Sequence, residues 1–415
     1  KALYEQTLES VTYQNTSDDP STSARTITWQ VNDGSSANNL SSAVTSTVTV
    51  AGLESGLLAT KYEGYFGAVG VPNYQSASDN FDFFSTAVEQ TDSRFSNPFT
   101  AINTTTPGQN FDATYSVEWQ GLFKASSTGT YTFFTNSDDS SWLWVGTKTQ
   151  SVSDLIGTRS KSNEVVDNGG LHPMHQESGT INLEAGETYP ILIYFGENQG
   201  GDAITASFTP PGGSKTDNGS GFYFYSGSVG DNNNNTLTGT TAAESFLARE
   251  GNDNVSGGGG DDVIRGGLGN DTLIGGGGTD RLTGGSGADI FGYSTTTDGG
   301  VISSNQTASA AGVSGDTIED FVSGTDKFNF VSSAFGGLST GALTNGTNFS
   351  IITEAYKGDN AGTNSEFTAG DPTFIFDSTD TLYYDSNGSS AGYTVVATMT
   401  GTNITAADVE IVSAL

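Results

Sequence analysis

The sequence predicts an all-β fold built from several modules, and three observations carry that expectation. The chain of 415 residues holds 56 Gly, 24 Phe and 16 Tyr; glycine supplies positive-φ turn positions, and aromatic side chains suit a pleated, half-buried surface. Its apolar runs are short and alternating, as in "GTYTFFTNS", "SWLWVG" and "YPILIYFG", and none reaches the roughly 18 residues of a membrane span. From Gly230 a strict nine-residue period sets in. A chain of this length exceeds one ordinary core, so three or four domains are expected.

Charge and cysteine usage narrow the function. Forty-seven Asp and Glu against 14 Lys and Arg give a net charge of -33, which disfavours nucleic acid and anionic membrane as partners. Divalent cations are the natural counter-charge, because Asp, Asn and Gly-rich loops present the oxygen ligands calcium prefers; an acidic surface serving solubility alone is the alternative. With no cysteine, disulfides and thiol chemistry are excluded. Lys1 opens without a charged and apolar leader, so the chain is expected to be cut from something longer.

Residues 1–54 alternate in "SVTYQNTS", "ARTITWQVNDG" and "AVTSTVTV". Three strands between turn clusters read as a partial immunoglobulin-like or cadherin-like domain. Asp18, Asp19, Asn32 and Asp33 are there either ligands of an interdomain calcium or ordinary turn-formers. Residues 55–227 contain three of the four Trp, at 119, 142 and 144, and several short strands, which predicts the largest core, a β-sandwich. Residues 228–292 hold seven nonapeptides, and 293–415 are strand-like and end in "YTVVATMTGTNITAADVEIVSAL".

The last four nonapeptides, "GGGGDDVIR", "GGLGNDTLI", "GGGGTDRLT" and "GGSGADIFG", match the pattern G-G-x-G-x-D-x-U-x of a calcium-binding β-helix. Glycine frees the turn, the sixth place supplies the carboxylates of Asp253, Asp262, Asp271, Asp280 and Asp289, and the eighth places Val255, Ile264, Leu273, Leu282 and Phe291 inward. Two repeats make one coil of a parallel β-roll. Asp253 should therefore stack with Asp271, Asp271 with Asp289, and Asp262 with Asp280, sharing about three or four buried calcium ions. Asn235 and Glu244 at the sixth place of the first two repeats suggest a metal-poor cap. A flexible glycine linker would not repeat apolar residues every ninth position.

The array resembles the RTX repeats of type I secreted proteins, and "GDTIEDFVSGTDKFNF" resembles the segment that caps such arrays in serralysin-type proteases and RTX adhesins. That resemblance implies secretion, calcium-driven folding outside the cell, and an uncleaved export signal in a β-rich C-terminal cap. "NTSDDPSTSARTITWQVNDG" is similar to the extender repeats of giant bacterial adhesins.

Asp138 and Asp139 stand side by side in "TYTFFTNSDDSSWLWVG", where a carboxylate pair at a strand end suits a hard cation with one face open to vicinal sugar hydroxyls. This segment, with "LLATKYEGYF" and "YPILIYFGENQGGDAITASF", resembles the protective-antigen (PA-fourteen) domain of flocculins, yeast epithelial adhesins and RTX adhesins. The resemblance implies a cis Asp138–Asp139 peptide, a calcium at the sugar site, and a loop Glu197–Asp202 in which Gln199 and Asp202 act through side chains and Gly200 and Gly201 through backbone. Of these, Asp138, Asp139, Gln199 and Asp202 would also touch sugar. His172 and His175 in "LHPMH" lack a third ligand nearby and read as rim residues of the sugar pocket rather than zinc ligands. Trp142 and Trp144 alternate with Leu143 and Val145, so an outward Trp either stacks on sugar or covers a neighbouring sheet.

The expected function is that of a secreted, cell-surface, monomeric adhesin region, not an enzyme, which binds fucose-like or glucose-like glycans through calcium and leaves by type I machinery. The alternative is an accessory region of a secreted glycosidase or protease. No His-Glu-x-x-His motif is present, and the chain has only two histidines.

Overall fold

The computed structural model describes residues 25–29, 44–48, 53–66, 83–87, 89–90, 95, 98–103, 114–198, 202–299, 315–353, 356, 373–386, 393–399 and 403–415. Among the described residues the elements are strands apart from two short helices and one 3-10 turn, so the all-β expectation holds. In the N-terminal piece the described residues form one antiparallel pair, Arg25–Trp29 against Val44–Val48. The candidate ligands Asp18, Asp19, Asn32 and Asp33 lie outside the described residues.

The sandwich sets a three-stranded sheet against a larger one. In the small sheet Gly129–Asp138 runs between His175–Leu183 and Ala203–Thr209. Its alternation follows the sequence: Tyr131, Phe133, Thr135 and Ser137 are buried, while Thr132, Phe134, Asn136 and Asp138 are half-buried. The large sheet centres on Thr114–Lys124 and Thr188–Asn198, flanked by Ser140–Val145, Leu58–Glu63 and Tyr223–Val229. Leu53–Ser55 pairs with Ser226, Tyr225 and Phe224, so the sandwich begins slightly before residue 55. Trp119, Phe123, Tyr131, Phe133, Leu143, Ile191, Ile193 and Phe208 fill the space between the sheets.

The large sheet is buried on both faces. Leu143 and Val145 point into the sandwich, whereas Trp142 and Trp144 lie on the opposite face with Tyr62, Phe66, Phe84, Leu192 and Tyr194. That second face is covered by helix Val152–Thr158, whose Ser151 and Asp154 form a reciprocal capping box and whose Leu155 and Ile156 are buried, and by Val263 of the roll. Both tryptophans are fully buried, so the covering role is the one observed and neither ring is open to a sugar.

The roll continues the large sheet, because Gly227–Val229 pairs in parallel with Ser245–Leu247. One of its sheets stacks Ser245–Glu250, Val263–Leu268 and Arg281–Ser286, and the other Thr236–Thr238, Asn254–Gly259, Thr272–Gly277 and Ile290–Tyr293. Partners are 18 residues apart throughout, as in Leu273 with Val255 and Phe291, so two nonapeptides do make one coil. The eighth-place residues Val255, Ile264, Leu273, Leu282 and Phe291 are at most 1% exposed, which identifies them as the core of the roll.

Residues after 292 extend the same coil. Asp316–Ile318 pairs in parallel with Arg281 and Leu282, and Lys327–Val331 with Ile290–Tyr293. Thr394–Met399 and Val409–Val412 then add to the two sheets, and an antiparallel hairpin of Thr373–Phe376 and Thr381–Asp385 closes one end. One apolar cluster runs unbroken from Phe246 to Ile411.

Candidate functional sites: a carboxylate pair and two carboxylate ladders

Strand Gly129–Asp138 ends at the carboxylate pair, and the peptide between Asp138 and Asp139 is cis. Asp139 is 6% exposed. Its Oδ1 accepts the backbone N–H of His172 at 3.1 Å, and its Oδ2 that of Asn198 at 3.1 Å. Asp138 is half-buried and opens toward solvent. Burial raises the pKa of both carboxyls above the ordinary aspartate range; backbone N–H groups and the His172 ring oppose this, and Asp202 raises Asp138 further. Two adjacent carboxyls under a desolvation penalty favour a bound cation over isolated anions.

The neighbours come from separate strands. Asp202 precedes Ala203, which pairs with Asp138, and its Oδ2 accepts the Tyr115 hydroxyl at 3.1 Å. Glu197, 2% exposed, is paired with Tyr115. The Tyr65 hydroxyl bonds to Ser140 Oγ, and Ser140 donates to the Gly170 carbonyl at 2.7 Å. Tyr65 and Tyr115 carry no local signal in the sequence, whereas Glu197 opens the oxygen-rich loop already marked there.

The histidines divide. His172 is buried, with its ring nitrogens 3.1 Å from the Asn168 carbonyl and 3.0 Å from the Pro173 carbonyl. It therefore departs from the expected rim role: the ring is locked in protein contacts, and the residue serves the site through its backbone N–H. His175 is exposed, with its Nε2 2.9 Å from Glu177 Oε1. Gln199, Gly200 and Gly201 lie outside the described residues.

In the roll the sixth-place aspartates form two ladders. The backbone N–H of Asn235 donates to Asp253 Oδ1, Asp253 to Asp271, Asp271 to Asp289, and Asp289 to Asp326, at 2.6–3.0 Å. On the other side Glu244 donates to Asp262, Asp262 to Asp280, and Asp280 to Asp316, at 2.8–2.9 Å. Asp316 and Asp326 continue the ladders beyond the repeats. The period had hidden them, because Asp316 follows a break in the nine-residue frame.

The residues present fit calcium. One carboxylate oxygen per rung is occupied by the stack, while the Oδ2 atoms of Asp253, Asp262, Asp271 and Asp280 are buried without a hydrogen-bond partner. The Oδ2 atoms of Asp262, Asp271, Asp280 and Asp289 aim into the glycine turns: a Cβ on Gly257, Gly266, Gly275 or Gly284, respectively, would sit 2.2–2.4 Å from them. Burial, with like charge from neighbouring rungs, pushes Asp262 up to about 9, Asp271 to about 7 and Asp289 to about 6. Among the described residues no three acidic or histidine side chains converge on one point, so backbone oxygen must complete any shell, as glycine turns permit.

Residues 53–221 match the family model of the PA14 domain, and residues 229–264 and 256–291 match that of the RTX calcium-binding nonapeptide repeat. No curated protein matches the chain. Among solved structures, the epithelial adhesin 9 A domain of Candida glabrata, in complex with Galb1-4GlcNAc, is 17% identical, with 41% of this chain and 90% of that one covered and a TM-score of 0.30. The PA14 domain of the MpAFP antifreeze protein is 14% identical, covering 42% and 93%, with a TM-score of 0.27. A beta-glucosidase of Kluyveromyces marxianus in complex with glucose is 13% identical, covering 37% and 15%, with a TM-score of 0.22.

Proposed function

We propose, for a chain that joins a PA14 domain to RTX calcium-binding repeats, a calcium-dependent glycan-binding role in a secreted, surface-associated adhesin, without catalysis. The observation that carries it is the carboxylate pair: Asp139 is pinned by the N–H groups of His172 and Asn198, and Asp138 is left facing solvent beside Asp202. A calcium held there would offer open coordination positions to vicinal sugar hydroxyls. Asp139 supplies a fixed carboxylate and Asp138 a second one, while Asp202 lies nearby with its carboxylate held by the Tyr115 hydroxyl. His175 stands exposed near the rim. Gln199, Gly200 and Gly201 belong to this reading through the family resemblance alone. Fucose-like and glucose-like sugars are the first ligands to try, and export by type I machinery as a monomer completes the proposal.

The test is retention of the full chain on sugar resins in calcium and in chelator, beside an Asp139→Ala variant. Retention is expected only in calcium and only for the native pair. Trp119, Trp142 and Trp144 are fully buried in the sandwich, so their fluorescence shows whether the variant is folded. A folded Asp139→Ala protein retained like the native chain would place sugar binding elsewhere.

A further inference from the structure

The roll is the floor of the sandwich. In the repeat Gly257–Arg265, Asp262 is a ladder rung, and the seventh and ninth places, Val263 and Arg265, point away from the roll's core into the sandwich. Both are buried, at 1% and 4% exposed. Val263 joins the cluster of Tyr62, Trp142, Trp144, Leu192 and Tyr194. The Arg265 guanidinium meets Glu118 at 2.9 Å and Glu89 at 3.2 Å, and lies 5.7 Å from the centre of the Tyr62 ring, whose hydroxyl donates to the same Glu118 at 3.3 Å. On the next coil of this sheet, Arg281 pairs with Glu319 and lies against Gly157 of the covering helix. The ninth places of the other glycine-rich repeats before the last carry Ile274 and Thr283, so the buried arginine is a departure from the repeat pattern that only the docked sandwich explains.

We infer that ion binding in the roll regulates the sandwich: the Asp262–Asp280 rungs hold the strand that presents Val263 and Arg265, and Arg265 transmits the roll's folded state to Glu118. The two-state element is the roll, whose ladders stack like charges and need a cation to fold. When it folds, Arg265 neutralises two carboxylates that the sandwich buries on its outer face. Glu118 sits on the strand whose Tyr115 hydrogen-bonds Asp202, and whose Ser116 binds the Phe66 N–H at 3.1 Å and the Gly64 carbonyl at 2.8 Å. Three residues along a strand, about 10 Å, therefore separate the dock from the carboxylate-pair site. Only this last step, from dock to sugar, rests on the glycan-binding reading.

The experiment uses the full chain in an Asp139→Ala background, which removes the sandwich's own ion site so that calcium acts through the roll alone. Far-UV circular dichroism reports roll folding, and tryptophan fluorescence reports melting of the sandwich. The tryptophan transition should rise by about 10 °C over the calcium range in which the roll's β signal appears, the scale expected for pairing a buried charge in a domain of this size. Arg265→Met should keep the calcium-driven β signal and lose most of that rise. If Arg265→Met does not fold its roll, Glu118→Gln, which leaves the roll untouched, replaces it with the same expectation. A tryptophan transition that follows calcium equally in the variant and in its parent overturns the proposal; one that ignores calcium in the parent overturns it as well. Sugar retention of the chain with Asp139 intact is measured separately, so failure of the glycan reading leaves this outcome legible.

Discussion

Replacing Asp271 by Asn should have opposite effects with and without calcium. Asp271 is 1% exposed and in the middle of its ladder, with Oδ1 accepting the Asp253 N–H at 2.8 Å and Oδ2 buried without a hydrogen-bond partner. Asparagine keeps an oxygen for the first contact and removes the charge from the second. Burial pushes the carboxyl up to about 7, helped by Asp289 and opposed by the Asp253 N–H. An aspartate with a raised folded pKa destabilises the metal-free fold at any pH above that value, and the penalty disappears as pH falls toward the unfolded value near 4. At pH 8 the ionised group therefore costs the metal-free roll about 2–4 kcal/mol, the lower end allowing for water reaching the turn. Asp271→Asn should thus melt no earlier than the native chain in chelator, and later if any roll persists there. In calcium it loses an anionic ligand shared by the pairs with Asp253 and Asp289, and the calcium concentration for half-folding should rise at least about tenfold, 1.4 kcal/mol per decade. Circular dichroism melts of the full chain at pH 8, with calcium and with chelator, read both arms. Equal destabilisation in the two conditions would show that the carboxylate is a structural hydrogen-bonding group and not an ion ligand.

Three further outcomes follow from particular contacts. Gly267→Ala should destabilise the calcium-loaded roll by about 2–6 kcal/mol in denaturant unfolding, because Gly267 has φ +109° and its Cβ would lie 1.9 Å from the Arg249 carbonyl; stability within error of native would contradict the stacking. Leu273→Ala empties a fully buried place between Val255 and Phe291 and should lower stability by about 2–5 kcal/mol without changing the calcium midpoint by more than that loss implies. Deleting residues 330–415 should abolish export from a host carrying the cognate secretion machinery and shorten both roll sheets, which lose Thr394–Met399 and Val409–Val412; normal secretion of the truncated chain would place the signal elsewhere.

Sequence alone determined whatever repeats or lies adjacent along the chain. A nine-residue period with glycine, aspartate and an apolar plug sets register, inward face and ladder partners together, because each coil meets an almost identical coil 18 residues away. The Asp138–Asp139 pair was legible for the same reason, being two neighbouring residues between two apolar strands. Tertiary structure alone decided what surrounds them. The amides that hold Asp139 come from His172 and Asn198, 33 and 59 residues onward, and His172 became a locked support because its ring found carbonyls at Asn168 and Pro173. Trp142 and Trp144 looked equally able to face sugar or protein, and the helix and roll packed over them settled it. Arg265 carries no signal in the nonapeptide pattern, and its partners Glu118 and Glu89 lie 147 and 176 residues earlier. A side chain's partner across a domain boundary depends on how whole sheets pack, and no local pattern of residue types encodes that.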